Sequence, residues 1–318
     1  MPTFDGTATS EQVIEAFGSQ IQGKTFVITG AGQPSIGSQM ATALSRSPAA
    51  PAHILIASRT LSRVQPVLDE IQQINQAIKT TAVQVDLTDH ESIRRAAGEI
   101  LAAAPKIDVL INSAGNMALK EFTVDKQNIE LQFSANHLGH FLLTNLLVPG
   151  LRGGRVVNLT SSGYLISPVR FDDYNFSDGK EYDPWSGYGQ AKTANILFAW
   201  GLTQRLLQSH GINSFAAHPG YNGDTRLGAH LTWDDYGGIF PACKKNTGQE
   251  FVFEEPRFKT YTQIAATPLI AALDPELKAP GYLQNSAISE PAEHARDADS
   301  VNKLWELSER LVGQKFEY

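Results

Sequence analysis

The sequence predicts an α/β fold with a doubly wound, mostly parallel sheet of seven strands and helices on both of its faces. Two observations predict this fold. Short apolar runs alternate with longer segments in which apolar residues recur every three or four positions, and the first run ends in a glycine-rich turn. Strands that alternate with helices form crossover units, and these units build parallel sheets that are covered on both faces.

Seven short runs are predicted to be the strands of this sheet. They cover residues 25–30, 53–58, 82–87, 106–112, 155–160, 212–218 and 281–285. Most of them are rich in Val, Ile, Leu and Ala, as strands buried on both faces are. Ligands of a doubly wound sheet bind outside the carboxyl ends of its strands, so functional residues are expected there.

The segments between these runs carry the apolar stripes of amphipathic helices. Helices are predicted at 37–46, 61–74, 125–147 and 186–209, and a short one is predicted within the first 22 residues. Thr88 and Glu91 match a capping box at the start of a further helix. A stripe that includes Val301, Leu304 and Trp305 indicates a helix of the core or of an interface near the C-terminus.

One domain is expected to cover residues 23–318, after an N-terminal extension at 1–22. The chain contains no internal repeat and no linker that would divide it. Two stretches, at about 163–187 and 221–260, break the alternation of strands and helices and are rich in polar residues and glycine. Because long ordered loops are usually functional, both stretches are predicted to shape the substrate site.

The composition excludes several classes of protein. The 26 Lys and Arg residues are outnumbered by 33 Asp and Glu, which gives a formal charge of −7 and no basic surplus for binding a nucleic acid. The single cysteine, Cys243, has no partner for an internal disulfide. No stretch reaches the roughly 18 apolar residues of a membrane span, and no signal peptide is recognisable, so the expected location is cytoplasmic.

The first predicted strand leads into a glycine-rich turn at residues 29–37. Glycines let the backbone approach a pyrophosphate, and the N-terminus of the following helix offers free N–H groups and the positive end of its dipole. The turn indicates a Rossmann-like dinucleotide site, although such turns also occur without a cofactor. Its candidate cofactor residues are Gly30, Gly32, Ser35, Ile36 and Gly37.

The end of the second predicted strand indicates which dinucleotide binds. An acidic residue there bonds the 2′-hydroxyl of NAD, whereas a basic residue accommodates the 2′-phosphate of NADP. Ser58 and Arg59 occupy this place and no acid does, so NADP(H) is favoured; the alternative is that Arg59 only caps a solvated turn. Asp86 ends the third predicted strand and either bonds the adenine amino group or helps to start the next helix.

Tyr188 and Lys192 lie four residues apart in a predicted helix, which places them on one face of it. Tyrosine has a pKa of about 10, too high for proton exchange near neutrality, and an ammonium group beside it favours the phenolate. The pair is therefore a candidate for moving a proton to or from a substrate. The same spacing also arises by chance, so the assignment depends on the motifs around it.

Further motifs occur in a fixed order over roughly residues 24–315. They are Thr29-Gly30 to Gly37, Ser58-Arg59, Asp86-Leu87, Ile111-Asn112-Ser113-Ala114-Gly115, Asn136-His137-Leu138-Gly139-His140-Phe141, Val157 to Ser162, Tyr188 with Lys192, and His218-Pro219-Gly220. With these motifs the chain resembles the short-chain dehydrogenase/reductase superfamily, and within it the retinol-dehydrogenase-like oxidoreductases of filamentous fungi.

The resemblance implies a catalytic tetrad of Asn136, Ser161, Tyr188 and Lys192. Ser161 would hydrogen-bond the substrate oxygen, and Tyr188 would donate or remove the proton. Lys192 would lower the pKa of the tyrosine and bond the nicotinamide ribose, and Asn136 would hold a water molecule that links Lys192 to solvent. The further cofactor contacts that it implies, besides those of Tyr188 and Lys192, are Leu87, Asn112, Ala114, Gly115, Pro219, Gly220 and Thr225, the last of them with the nicotinamide carboxamide.

The chain departs from the family pattern in its glycine turn, at Ser113, where asparagine is common, and after Pro219-Gly220, where the segment is one residue longer than usual. The usual turn is Thr-Gly-x-x-x-Gly-x-Gly; here it is one residue longer, with Ser35 in place of the middle glycine, and cofactor binding is expected to survive the change. The segment between Ser161 and Tyr188 is about twice as long as in the shortest family members, and its length fits the retinol-dehydrogenase-like branch. It is either an aromatic wall over the substrate or a surface loop folded on its own side chains. The residues concerned are Phe171, Asp172, Asp173, Tyr174, Phe176, Tyr182 and Trp185.

The sequence therefore predicts an NADP(H)-dependent carbonyl reductase or secondary alcohol dehydrogenase that acts on a bulky, lipophilic small molecule. The alternatives are a sensor that binds NADP(H) without turnover, and an isomerase or cyclase on the same fold. No metal site is expected, because His137 and His140 have no third ligand in sequence. The family often forms homodimers through the helix that bears the tyrosine, and monomers also occur.

Overall fold

Residues 3–318 are described by a computed structural model, in which eight strands form one sheet. The strands are β1 (Thr25–Thr29), β2 (His53–Ser58), β3 (Lys79–Gln84), β4 (Val109–Asn112), β5 (Arg155–Leu159), β6 (Asn213–Ala217), β7 (Gly281–Gln284) and β8 (Ala287–Ser289). Their order is β3-β2-β1-β4-β5-β6-β7-β8, and every pair is parallel except β7 and β8. The order reverses between β1 and β4, so the doubly wound fold predicted from the sequence is confirmed.

Helices cover both faces of this sheet. They are α1 (Ser10–Phe17), α2 (Ile36–Ser45), α3 (Gln65–Ile74), α4 (His90–Ala103), α5 (Leu131–Phe133), α6 (Gly139–Leu151), α7 (Pro184–His210), α8 (Ile239–Thr247), α9 (Tyr261–Leu273) and α10 (Ala298–Val312). One apolar core lies between the sheet and α2, α3 and α9, and a second lies between the sheet and α4, α6 and α7. Within residues 3–318, no helix is both long enough and apolar enough to cross a membrane.

The prediction of seven strands was wrong by one, because β8 was not recognised. Asn285 and Ser286 connect β7 to β8, and both have positive φ, of 51° and 64°. Two consecutive residues in this conformation make the tight turn of an antiparallel hairpin, and asparagine adopts it more readily than most residues. The short, exposed β8 ends the sheet.

Two predicted boundaries also need correction. The third strand begins at Lys79 rather than at residue 82, because its extent is set by pairing with β2, where Lys79 lies opposite His53. Helix α4 is capped by Asp89 and not by Thr88, since the Asp89 carboxylate accepts the N–H groups of Glu91 and Ser92.

The helix predicted at 125–147 begins later and is not uniform. It starts at Leu131, passes through a π-helical turn at Ser134–Leu138 and continues as α6 to Leu151. Single π-helical turns within α-helices often occur at functional sites. This turn carries Asn136, one of the predicted catalytic residues.

The two predicted loops contain regular structure. The stretch at 221–260 includes α8, and α9 begins directly after it behind a capping box of Thr260 and Gln263. In the stretch at 163–187, Asp183 caps α7, whose side chains are buried along most of its length. Both stretches lie beyond the carboxyl ends of strands, after β5 and β6.

The predicted N-terminal extension packs onto the rest of the chain, apart from residues 1 and 2, which lie outside the described part. Helix α1 lies against α2 and α9. Its residues Val13, Ile14 and Phe17, with Ile21 after it, are buried in the same core as β1. We therefore expect removal of α1 to expose apolar surface on α9.

Candidate active site

The predicted site residues gather at the carboxyl edge of the sheet, around two cavities that a small pocket connects. A cleft of about 510 Å³ lies over the ends of β1, β2 and β4. A second cavity, of about 280 Å³, is lined largely by aromatic side chains and lies beyond β5 and β6. A pocket of about 90 Å³ between them contains Ser161, Tyr188 and Lys192 on its wall.

The glycine turn brings backbone segments into direct contact. Gly30 has a φ of +70°, and a Cβ atom added to it would lie 2.5 Å from Cα of Ala114. A Cβ atom on Gly37 would lie 2.8 Å from Cα of Ala31. Both positions therefore require glycine, the first for its conformation as well as its size. Gly30 and Gly32 line the cleft, whereas Gly37 packs beneath it.

Ser35, the residue in place of the usual middle glycine, is the N-cap of α2. Its hydroxyl accepts the N–H of Ser38 at 3.0 Å, and the Ser38 hydroxyl accepts the N–H of Ser35 at 3.0 Å. The first-turn N–H groups of Ile36 and Gly37 have no carbonyl partner in the helix and carry the positive end of its dipole. The lengthened turn therefore still presents a helix N-terminus suited to a phosphate.

Two arginines stand at the far end of the cleft. Arg59 is exposed after β2, and no acidic residue ends that strand. Arg63, which sequence reasoning missed, also lines the cleft and donates from Nε and Nη2 to the carbonyl of Gln33, both at 3.3 Å. Its position four residues after Arg59 was the available signal. The Gln33–Arg63 contact ties the glycine turn to the segment after β2.

Asp86 lies in the same cleft, together with Ser58 and Leu87. Its carboxylate accepts the N–H of Thr88 at 3.0 Å and the Thr88 hydroxyl at 2.7 Å. It does not cap α4, because Asp89 does. Of the two interpretations of Asp86, contact with a bound adenine is the one that this geometry leaves open.

Tyr188 and Lys192 lie on one face of α7, as predicted, and both are almost fully buried. Lys192 Nζ lies 5.6 Å from the centroid of the Tyr188 ring and donates to the carbonyl oxygen of Leu159 at 3.4 Å. Ser161 follows β5, lines both the small pocket and the aromatic cavity, and hydrogen-bonds the tyrosine. Its hydroxyl oxygen also accepts the N–H of Gly163 at 3.1 Å.

Burial shifts the pKa values of both Tyr188 and Lys192. Burial raises the pKa of Tyr188 to about 12, and the hydrogen bond from Ser161 opposes this rise only in part. Burial lowers the pKa of Lys192 to about 8. Loss of hydration therefore sets the direction of both shifts. In this state Tyr188 is a protonated phenol at neutral pH, which is the form that donates a proton.

Asn136 lies under the loop that follows β4. Its side-chain oxygen accepts the N–H of Asn116 at 2.8 Å, and its Nδ2 donates to the Asn116 carbonyl at 3.1 Å. A Cβ atom on Gly115 would lie 2.5 Å from Asn136 Oδ1 and 3.7 Å from Lys192 Nζ. The structure thus brings Asn136, Gly115 and Lys192 together, with Asn136 fully buried.

Asn112 does not line the cleft. It is buried at the end of β4, where its Nδ2 donates to Thr144 Oγ1 at 3.0 Å and to Asn158 Oδ1 at 2.9 Å. These hydrogen bonds join β4 to β5 and to α6, so Asn112 stabilises the strands and the helix on which the site is built. Ala114 and Gly115, later in the same motif, do line the cleft.

The stretch at 221–260 lines the cleft over β1, β2 and β4 as well as the aromatic cavity. Thr225 lines both the cleft and the small pocket, while Pro219 and Gly220 line the small pocket. Arg226, Leu227 and His230 also lie on the cleft wall. Sequence reasoning assigned Thr225 to the cofactor and the stretch as a whole to the substrate, and it did not predict Arg226, Leu227 or His230.

Aromatic side chains form most of the second cavity, and most of them come from the stretch at 221–260. The aromatic lining residues are Trp185, Tyr188, Tyr221, Trp233, Tyr236, Phe240, Phe251, Phe253 and Phe258. The rings touch one another: Tyr236 lies 5.3 Å from Trp185 and 5.9 Å from Tyr221, measured between ring centroids. The density of aromatic residues between 233 and 258 was the signal that sequence reasoning did not use.

The residues of the stretch at 163–187 divide between the wall of the aromatic cavity and a loop that packs on its own side chains. Trp185 belongs to the cavity wall. Tyr182 instead packs edge-on against Phe176, 5.6 Å between centroids, and its hydroxyl donates to the carbonyl of Leu119 at 2.7 Å. Tyr174 stacks on Phe133 at 6.3 Å, on the core side.

Comparisons with known proteins agree with this arrangement. The family model for short chain dehydrogenases matches residues 24–234. An oxidoreductase of Fusarium equiseti, fscI, is 33% identical over 246 residues, which cover 68% of this chain and 94% of that protein. Retinol dehydrogenase 13 of Homo sapiens is 33% identical over 298 residues, which cover 92% of this chain and 86% of that protein.

A solved structure of an uncharacterised protein from Mycobacterium paratuberculosis has the same fold. It superposes with a TM-score of 0.71 at 29% identity, over 94% of this chain and 96% of that one. The match of the family model, the coverage of the relatives and the fold all agree. The chain belongs to the short-chain dehydrogenase/reductase family, whose members use nicotinamide cofactors, and it is of the retinol-dehydrogenase-like type.

Proposed function

We propose that the protein is an NADP(H)-dependent oxidoreductase that interconverts a bulky, lipophilic ketone and its secondary alcohol. One observation carries the proposal: Ser161, Tyr188 and Lys192 lie at the junction of a dinucleotide-sized cleft and an aromatic cavity. Apolar cavities with a few convergent polar groups are typical of small-molecule sites. A lipophilic carbonyl compound in this cavity would present its oxygen to Ser161 and Tyr188.

The preference for NADP(H) rests on charge. Arg59 and Arg63 both line the adenosine end of the cleft, and β2 ends without an acid. A planar guanidinium group pairs well with a phosphate, whereas a carboxylate there would repel it. Gly30, Gly32, Ser35 and the N-terminus of α2 would hold the pyrophosphate.

The chemistry follows from the protonation states. When bound, the reduced cofactor supplies a hydride to the carbonyl carbon. Tyr188, a phenol at neutral pH, donates its proton to the carbonyl oxygen, and the Ser161 hydroxyl hydrogen-bonds that oxygen as negative charge develops on it. The ammonium of Lys192 stabilises the phenolate that remains. Reduction of the ketone is therefore the expected working direction.

Titration of the protein with NADPH and with NADH tests the cofactor. We expect NADPH to bind at least about tenfold more tightly, and Arg59→Ala and Arg63→Ala each to weaken NADPH more than NADH, because each removes a phosphate partner. Arg152→Ala is the matched control, since this exposed arginine lies at the end of α6, on the opposite edge of the sheet. Equal affinity for both nucleotides would rule out the NADP(H) preference.

A screen of aromatic and alicyclic ketones tests the reaction. Tyr188→Phe removes the proton donor, so it should reduce ketone turnover by about 100-fold or more while NADPH still binds. Unchanged turnover in this variant would overturn the assignment of Tyr188. Turnover without net consumption of NADPH would indicate an isomerase or cyclase, and binding without any turnover would indicate a sensor.

The sequence also predicts a cytoplasmic location and, as one of two alternatives, a homodimer. Both stay predictions. Chromatography with light scattering on the purified protein distinguishes the homodimer from the monomer, and a fluorescent fusion at the C-terminus reports the location.

A further inference from the structure

The aromatic cavity contains one formally charged side chain, that of Arg257, among its lining residues. All the others are aromatic, aliphatic, glycine or hydroxyl-bearing. Arg257 is exposed to solvent, so its guanidinium lies at the open side of this cavity and can meet a ligand that enters it. The whole chain carries a net charge of −7, so carboxylates are not scarce.

No carboxylate within residues 3–318 lies at ion-pair distance from the Arg257 guanidinium. The acids of the same segment are directed elsewhere: Asp235 pairs with Lys120 at 2.8 Å, and Glu250 pairs with Lys244 at 2.9 Å. Glu254 pairs with His218 at 2.5 Å, beneath the cavity. The Glu255 carboxylate accepts the backbone N–H of Arg257, at 3.1 Å, and not its guanidinium.

Aromatic rings hold the guanidinium in place. Its central carbon lies 3.9 Å over the ring of Phe253 and 5.8 Å from that of Phe258. Such contacts stabilise the charge but satisfy none of its five N–H donors. These donors form a planar fork whose geometry matches a carboxylate. The segment thus positions the Arg257 guanidinium and leaves its N–H donors available to another partner.

We propose that the substrate is a carboxylate-bearing ketone with a flat, apolar body, and that Arg257 is the residue that selects it. The inference rests on the proposed reductase function. Ser161, Tyr188 and Arg257 line the same cavity of about 280 Å³, close to the lower end of the size range of small-molecule sites, which is about 300 Å³. A molecule of one or two rings that fills it contacts both the proton donor and the arginine.

The test compares para-benzoylbenzoate with its methyl ester, which differ in charge and little in shape. Trp185 and Trp233 line the cavity, so quenching of tryptophan fluorescence reports binding without requiring turnover. With NADPH present, we expect the acid to bind the wild type at least about tenfold more tightly than the ester, and less tightly as salt increases. Arg257→Gln should abolish this preference and leave the ester affinity within about twofold.

Two further variants sharpen the result. Arg257→Lys keeps the charge without the planar fork, so it should retain part of the preference. Arg296→Gln is the matched control, because it removes an exposed arginine that pairs with Glu290 at 2.7 Å, away from the cavity. It should leave the ratio of acid to ester affinity unchanged.

The outcomes separate this inference from the proposed function. Equal binding of acid and ester, tighter binding of the ester, binding of neither compound, or an unchanged ratio in Arg257→Gln would each overturn the assignment of Arg257. Selective binding of the acid without its reduction by NADPH would overturn the reductase function and leave the anion site standing. Selective binding together with selective reduction supports both.

Discussion

The hydroxyl group of Thr29, at the end of β1, lies 2.8 Å from Nε2 of His140. Its oxygen already accepts the N–H groups of Ser113 and Ala114 at 2.9 and 3.1 Å, so its proton is donated to Nε2. His140 therefore carries its own proton on Nδ1, which donates to the carbonyl of Asn136 at 3.0 Å. One hydroxyl thus connects the cofactor turn, the loop after β4 and the π-helical turn that bears Asn136.

Thr29→Val is expected to break this connection with little change in shape. It would leave two part-buried N–H groups and one buried imidazole nitrogen without a partner, which costs about 2–4 kcal/mol of unfolding free energy. NADPH affinity should also fall, because Ala114 lines the cleft. Urea unfolding and NADPH titration measure the two effects. Thr29→Ser keeps the hydroxyl and is the control; equal behaviour of the Val and Ser variants would contradict the argument.

Gly115→Ala should disable the site without unfolding the protein. The new methyl group would lie 2.5 Å from Asn136 Oδ1, so the Asn136 side chain or the loop must move. We expect ketone reduction to fall by at least about tenfold, as small displacements at active sites do. Gly98→Ala is the control, because Gly98 is exposed and no atom lies within 4 Å of the added methyl; it should stabilise helix α4 by about 0.5–1 kcal/mol. Full activity of Gly115→Ala would refute the close packing.

Much of the fold follows from local pattern. Strands such as 53–58 and helices such as α7 were predicted because long apolar runs and stripes determine them. The start of β3 and the existence of β8 were not, since both strands have partly exposed side chains and are defined by pairing with a neighbour. Helix α9 was missed although Thr260 and Gln263 carry a readable capping signal.

Only part of the site could be predicted from the sequence, for the same reason. Residues in short motifs, such as Tyr188 with Lys192, were placed correctly relative to each other because one helix turn fixes their spacing. The contact of Thr29 with His140 spans 111 residues, and no local pattern encodes it. The rise in the pKa of Tyr188 could not be predicted from the sequence, because burial depends on the whole fold.

Ketone reduction should decline as pH rises through about 8, the value to which burial lowers the pKa of Lys192. Above it the lysine is neutral and no longer stabilises the phenolate. Tyr188 keeps its proton up to about pH 12, so it does not cause this decline. The pH dependence of kcat/KM for NADPH reports groups of the free enzyme. Lys192→Arg keeps its charge at these pH values, so the decline should disappear; if it persists, another group is responsible.

Stability should fall on mild acidification because three buried histidines stay neutral in the folded state. Burial lowers the pKa of His137 from 6.5 to about 3 and the pKa values of His53 and His140 to about 4. Below pH 6.5 the unfolded chain therefore binds protons that the folded protein does not. Each of these histidines lowers the free energy of unfolding by about 1.4 kcal/mol for every pH unit below 6.5. The stabilisation is complete above pH 6.5 and decreases towards pH 4.

Protonation of Glu130 has the opposite effect on the free energy of unfolding, and it offsets the effect of one of these histidines. Burial raises its pKa from 4.5 to about 7, so between these values the folded protein holds a proton that the unfolded chain lacks. The net loss is then about 2.8 kcal/mol per pH unit between pH 6.5 and 4.5. Glu130→Gln removes the offset and should increase this slope by about half in urea unfolding. A slope that stays the same in the variant, or a flat wild-type profile, would contradict the assignment of these buried groups.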